Sequence, residues 1–373
     1  MLRQMWMGSR PGNLLRHWAG FRRAATILSA ISLTLLSVLL SSRLQASPPA
    51  FLNPAAIAFQ QPTIAPGSTG PDDDEALQKI EKQIAWGNFH GVVPSLNQYL
   101  KAYPDSARAH YDLGYALFRT HEIGDSIKQL SKSLELNSKN AQAHKILGLD
   151  CSLVGRYDLA EIELQQAARL EPDSAEIHYL LGRVYYTRGV YPLAKQEFKT
   201  ATHLNPSYMK AYANLGLTME ILGDNEEAVK DYQTAARLDE QQKLRSPWPY
   251  EYLSAYYNRQ QKPQQAVQYA RQAISMNAKF DLAYFQIAKA YEYLERWTDC
   301  EAAARKAISL NPRTPDYYYV LSQALRKEGK TQASQAALAN FAELHQKQLT
   351  ESELWQKARE NALHGGSASS SRP

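Results

Sequence analysis

Residues 107–148 read ARAHYDLGYALFRTHEIGDSIKQLSKSLELNSKNAQAHKILG, and the Leu-Gly pair at 113–114 returns at 147–148. The same pair stands at Leu181-Gly182 and Leu215-Gly216, so the interval is 34 residues each time. Two helical stretches with a short turn fill each interval. A period of 34 with two helices per unit predicts a stacked array of helical hairpins. Each unit of such an array buries its apolar face against its neighbours, so 373 residues need no single large core.

With the Leu of each pair at position 7, the units run 73–106, 107–140, 141–174, 175–208 and 209–242. An insertion, Lys243 to Ser246, precedes three more at 247–280, 281–314 and 315–348. Small residues recur where helices must approach. Position 8 is Gly114, Gly148, Gly182 and Gly216, then Ser254, Ala288 and Ser322. Glycine inside a helix costs about 1 kcal/mol relative to alanine, so its recurrence argues that a neighbour needs the space. Position 20 is Ser126, Ala160, Ala194, Ala228, Ala266, Cys300 and Ser334, and position 27 is Ser133 followed by alanines from Ala167 to Ala307. Gly155, Gly189 and Gly223 at position 15 end the first helices. Pro104, Pro172, Pro206 and Pro312 at position 32 stop the second ones. The two cysteines, Cys151 and Cys300, fall on packing positions and read as buried thiols.

This pattern resembles the tetratricopeptide repeat family over residues 73–348. The resemblance implies an all-α fold: an α-solenoid of about eight helix-turn-helix repeats. It also implies that the first helices line a concave groove holding an extended peptide or a partner helix. In the family, positions 2, 5, 6, 9, 12 and 13 of the first helices face that groove. Here these positions hold Arg108, Tyr111, Tyr115, Arg119, Lys145, Tyr179, Arg183, Tyr186, Asn214, Arg259, Phe285, Lys289, Tyr293, Tyr319 and Arg326. Phe118, Lys210 and Lys327 belong to the same set. Aromatic and Arg side chains are the types that dominate binding hot spots. The resemblance therefore implies a basic-aromatic groove for protein or peptide segments, acidic ones among them. Some family members hold a peptide backbone with Asn at position 6, the place of Asn214. The variant that clamps a C-terminal dicarboxylate pairs Lys at position 5 with Asn at position 9. Lys145 is followed there by Leu149, which argues against it.

Departures from the pattern sit at the ends and at the insertion. The first unit has Lys79-Ile80 for Leu-Gly, with Val92 and Tyr99 at small positions, and the last has Phe341 at position 27. Terminal repeats are atypical because one face meets solvent. Thr350 and Glu353 read as a capping box opening a capping helix over 349–364, with Leu354, Trp355, Ala358 and Ala362 on its apolar face. A Ser-rich tail occupies 365–373. At the insertion, Glu240 replaces the usual Pro and Pro247-Trp248-Pro249 follows, so regular stacking is expected to break there into five repeats and three.

Residues 1–46 read as an export signal or a membrane anchor. Arg16, Arg22 and Arg23 precede an uncharged run from Ala24 to Leu40, and Ala46 offers a cleavage point. Seventeen residues is near the lower limit for crossing a bilayer, so an uncleaved anchor stands beside a cleaved signal. Residues 47–72 hold six prolines and read as a disordered linker. Both readings place the repeats outside the cytoplasm, periplasmic or secreted, and touch a membrane only through the N-terminal segment. Residues 1–72 carry six Arg and one Asp, whereas 73–348 carry 33 basic and 33 acidic side chains. A neutral array excludes a broad nucleic-acid footprint.

No catalytic signature is present: no HExxH, phosphate-cradling loop or nucleophile elbow. His110, His144 and His178 at position 4 form a ladder. Equivalent residues on stacked helices lie of order 10 Å apart, so one zinc ion with bonds of about 2 Å cannot join them. Tyr212, Tyr250, Tyr284 and Tyr318 take position 4 later, so the histidines read as partly buried stand-ins for an aromatic. The sequence thus predicts a non-catalytic exported scaffold, without metal or cofactor, that binds protein or peptide segments. Two alternatives remain: a membrane-anchored assembly factor of a bacterial envelope machine (secretion or pilus biogenesis), and an enzyme accessory subunit.

Overall fold

Serine and asparagine open the first helices. Ser106 Oγ accepts from the Ala109 N–H at 3.2 Å, and Asn140 Oδ1 accepts from the Ala143 N–H at 3.0 Å. At the other end, asparagine at position 31 closes the second helices. Asn137, Asn205, Asn277 and Asn311 each turn the side chain to accept the backbone N–H two residues on.

The computed structural model describes residues 75–365, with side chains absent from the description at 352 and 355–365. The signal or anchor at 1–46, the linker at 47–72 and the tail beyond Gly365 lie outside the described residues. Among the described residues there are sixteen helices and no strand. The first four units supply α1 (Glu75–Ala85) with α2 (Phe89–Ala102), α3 (Ala107–Arg119) with α4 (Ile123–Leu136), α5 (Ala141–Leu153) with α6 (Tyr157–Leu170), and α7 (Ala175–Thr187) with α8 (Tyr191–Leu204). The later units supply α9 (Met209–Ile221) with α10 (Asn225–Gln242), α11 (Trp248–Arg259) with α12 (Pro263–Met276), α13 (Asp281–Tyr293) with α14 (Trp297–Leu310), and α15 (Pro315–Lys327) with α16 (Thr331–Gly365). Each helix packs on the next, and first helices also touch first helices. No described helix is long and apolar enough to cross a membrane.

The small positions are the seams. Ser126, Ala160, Ala194, Ala228, Ala266 and Cys300 at position 20 are fully buried, as are the alanines at position 27. A Cβ placed on Gly114 or Gly148 would lie 2.7 Å from Leu130 or Leu164, and one on Gly182 would lie 2.8 Å from Phe198. Those larger partners all stand at position 24. Where position 8 is Ser254 or Ala288 instead, position 24 is Ala270 or Ala304, both fully buried. A position-8 glycine thus faces a large side chain, whereas a position-8 Ser or Ala faces an alanine, which needs less room.

Position 15 is left-handed in all eight units. Gly87, Gly155, Gly189, Gly223 and Gly329 have φ between +74° and +88°, and His121, Gln261 and Glu295 have φ of 66°, 54° and 54°. The residue after it bonds back to the helix: the Arg156 N–H donates to the Cys151 carbonyl at 2.7 Å and the Glu122 N–H to that of Leu117 at 2.9 Å. This double-bonded cap needs positive φ.

The cysteine thiols are buried and free, and burial pushes Cys151 up to about 11 and Cys300 up to about 12. Thiols so rarely ionised are poor nucleophiles. At the first unit, Ile80, Val92 and Tyr99 join Leu77, Leu96 and Leu113 in one core cluster.

The insertion does not interrupt side-chain packing. It lengthens α10 to 18 residues and ends it on left-handed Lys243, after which buried Asp239 accepts the Ser246 N–H at 2.8 Å. Tyr232 of α10 and Tyr252 of α11 pack ring to ring at 5.7 Å across it. Trp248 packs edge-on against Phe280 at 5.0 Å. One expectation changes, at the C-terminus, where no separate capping helix starts at 349. α16 runs unbroken for 35 residues, and Thr350 Oγ1 donates to the Gln346 carbonyl four residues back rather than capping anything. Leu354 is exposed.

Candidate functional site

The candidate positions of α3, α5, α7, α9, α11, α13 and α15 recur in one register, which sets them along one face of the first helices, and neighbouring units meet there through charged and aromatic side chains. Several basic residues are paired with acids on that same face. Arg108 donates to Glu81 at 2.6 Å. Buried Lys145 reaches Glu176 at 2.8 Å. Arg259 forms a two-pronged ion pair with Glu220, which also accepts from the Tyr232 hydroxyl at 3.0 Å. A planar guanidinium suits such bidentate pairing.

Other candidates pack rather than protrude. Tyr111 is buried and stacked on Tyr115 at 6.4 Å, and Tyr115 meets Phe89 edge-on at 5.7 Å. Phe118 is buried. The Arg119 guanidinium lies 4.2 Å over the Phe89 ring and donates to the Tyr115 hydroxyl at 2.9 Å. Tyr179 is buried against Tyr208 at 5.0 Å, and Arg183 sits 5.8 Å from the Tyr179 ring centre. Asn214 is buried and donates to the Lys210 carbonyl of its own helix at 2.9 Å. That amide is already engaged within α9. Tyr186 is half-buried against Tyr191 at 5.6 Å. Phe285 packs on Tyr317 at 4.9 Å with Lys289 Nζ 5.6 Å from its ring centre. Tyr293 and Tyr319 stand 50% and 41% exposed. Arg326 is exposed and bonded to Gln323, and Lys327 lies 5.4 Å over the Trp297 ring.

The face is therefore of mixed charge rather than simply basic. Glu81, Asp112, Glu176, Glu220, Glu251, Glu292 and Asp316 occupy positions 2, 5, 6, 9 and 12, the same register that yields the basic residues. Reading that register for acids as well as bases would have found them. Glu251 is buried, which raises its carboxyl above the usual range, and Gln286 Nε2 donates to it at 2.8 Å. Lys210 is held below the ordinary lysine range, first by burial and then by the charge of Arg183. Lys289 is lowered likewise, by burial and by Arg259.

The histidine ladder is a set of polar ties between units. His178 Nδ1 lies 2.6 Å from Glu197 Oε2 and its Nε2 lies 2.9 Å from the Pro172 carbonyl of the preceding unit. His144 does the same with Glu163 and Ser138, and His110 with Gln129 and Pro104. Tyr284 and Tyr318 send their hydroxyls to the equivalent carbonyls of Ala278 and Pro312. Position 4 is thus a hydrogen-bonding site, more than the aromatic filler the sequence suggests.

Patterns of the tetratricopeptide repeat match residues 87–141, 210–242 and 285–344, and a TPR repeat pattern matches 154–189. The chain belongs to the tetratricopeptide repeat family. No curated protein matches it. Among solved structures, the TPR chain is similar to the APC/C hetero-tetramer Cut9-Hcn1, at 16% identity and a TM-score of 0.54, over 66% of this chain and 48% of that one. It is similar to yeast Tom70 at 13% identity and a TM-score of 0.52, over 81% of this chain and 68% of that one. Both likenesses concern the fold. MamA is 28% identical over 44% of this chain and 95% of its own, with a TM-score of 0.42. As a TPR array, the protein is a protein–protein interaction scaffold.

Proposed function

We propose that the scaffold is non-catalytic and exported, and that it holds a protein or peptide segment along the face lined by its first helices, acting there as a groove. The observation that carries this reading is the half-exposed state of Tyr293 and Tyr319, which stand at groove positions of consecutive units. Rigid aromatic side chains offer contact area at low conformational cost, and hot spots favour them. Exposed Arg326 and half-buried Arg183 and Lys289 add charge beside them. Export rests on the basic start and the uncharged run from Ala24 to Leu40.

The test is partner capture by the triple variant Tyr186→Ala/Tyr293→Ala/Tyr319→Ala against a control, Ile162→Ala/Leu193→Ala, altered on the second helices. Loss of captured proteins in the first variant alone supports the groove; equal capture by both contradicts it. N-terminal sequencing of the mature protein separates the export readings: a start at Ser47 shows cleavage, and an intact N-terminus shows an anchor.

A further inference from the structure

One inter-repeat contact changes its charge along the array. Position 9 of a unit meets position 2 of the next. Between the first and second units this contact is an ion pair, Glu81 with Arg108. Between the seventh and eighth it brings Lys289 beside Asp316, and the lysine draws the carboxyl down against the upward push of burial. Between the fourth and fifth both members are cations, Arg183 and Lys210. Neither forms an ion pair among the described residues. Glu176, whose charge also reaches Lys210, already accepts Lys145 at 2.8 Å.

The pair is held, not adrift. Arg183 lies 5.8 Å from the ring centre of buried Tyr179, and Tyr208 packs on that ring at 5.0 Å. Both cations are half-buried. Two partly desolvated like charges side by side destabilise the empty protein. A third charge of opposite sign between them would offset the repulsion; at the first and seventh contacts the chain itself supplies the acidic member of the pair.

We propose that Arg183 and Lys210 form the anion-holding point of the partner-binding face, and that the anion is an Asp or Glu side chain of an extended peptide segment. The inference rests on the peptide-binding reading above and names the chemistry of its ligand. A polyanion is disfavoured because Glu176, Glu220 and Glu251 share the face and the repeats from 73 to 348 are neutral overall. A single carboxylate flanked by apolar residues meets the two cations without meeting those acids. The guanidinium offers it the two-pronged bond that suits a carboxylate.

The experiment uses a phage-displayed library of random twelve-residue segments, selected on the full protein and on Arg183→Glu/Lys210→Glu. Wild type is expected to select segments with Asp or Glu at one fixed place, and those segments bind the double variant at least about tenfold more weakly, since like charges at an interface cost several kcal/mol. Segments selected by the double variant carry Lys or Arg at that place. Selected segments without acidic enrichment, or acidic ones bound equally by both proteins, overturn this inference and leave segment binding intact. A wild type that selects no segment overturns both readings. The single variant Lys210→Glu guards against misfolding: it turns the like pair into an ion pair, so its melting midpoint is at or above that of wild type. A lower midpoint contradicts the repulsion on which the inference stands.

Discussion

A Cβ on Gly216 would lie 2.7 Å from the ring of Tyr232 and 3.0 Å from the carbonyl oxygen of Ala228. Tyr232 is fully buried and its hydroxyl is tied to Glu220, so neither obstacle moves cheaply. Gly216→Ala is expected to destabilise by about 1–3 kcal/mol, read as a lower denaturant midpoint, despite the better helix propensity of alanine. The converse is testable at the sixth unit. Ala270→Leu overpacks against Ser254, and adding Ser254→Gly restores much of the loss by copying the pairing found in units two and three.

The left-handed caps predict gains. His121, Gln261 and Glu295 hold positive φ without being glycine. A side chain in that region costs roughly 1–2 kcal/mol, partly offset by the entropy that glycine loses on folding. Gln261→Gly and Glu295→Gly should each raise stability by about 0.5–1 kcal/mol in denaturant melts. Gly189→Ala should lower it by a similar amount.

Asp150 is fully buried at position 10, with Ser126 Oγ 2.6 Å from one of its oxygens. The same hydroxyl lies 2.9 Å from the Gly114 carbonyl. It has one hydrogen for two acceptors, which fits a protonated carboxyl donating to it. Burial pushes the carboxyl up to about 7, with Ser126 pulling the other way. An acid raised in the folded state binds protons there that the unfolded state releases, so stability falls as pH rises from about 4 to about 7. Asp150→Asn should flatten that slope and gain roughly 3 kcal/mol at neutral pH, measured by denaturant melts across the range.

His178 is raised by its bond to Glu197 against the pull of burial. For His144 burial lowers the value most, but the Glu163 and Ser138 bonds together outweigh it. Each imidazolium therefore stabilises fully below the ordinary value of 6.5, and the contribution is lost as pH rises through the folded value. Glu197→Gln should weaken the dependence contributed by the fourth unit, read as the pH profile of amide exchange in α7 and α8.

The seams were legible because they depend on residue size alone: positions 8, 20 and 27 announce close approach wherever small residues recur. Position 15 was legible only where it is glycine. The Gln261 and Glu295 caps are set by the hydrogen bonds around them, which carry no residue signature. The continuous α16 escaped because Thr350 and Glu353 suit a helix start and a helix interior equally. No Gly or Pro falls between Gly329 and Gly365 to end the helix. Among the candidate residues of the first helices, the residues were visible but their pairing was not. Whether Arg108 or Arg183 is neutralised depends on what the next unit places at the meeting point, a relation between repeats that no single repeat displays.

The central claim, that partners lie along the first-helix face, is tested most directly by site-specific photocrosslinking. A photoreactive residue at Tyr293 or Tyr319 is predicted to capture the partner, whereas one at Ile162 or Leu193, exposed on second helices, is not. Capture from Ile162 and Leu193 with none from Tyr293 and Tyr319 would contradict the account.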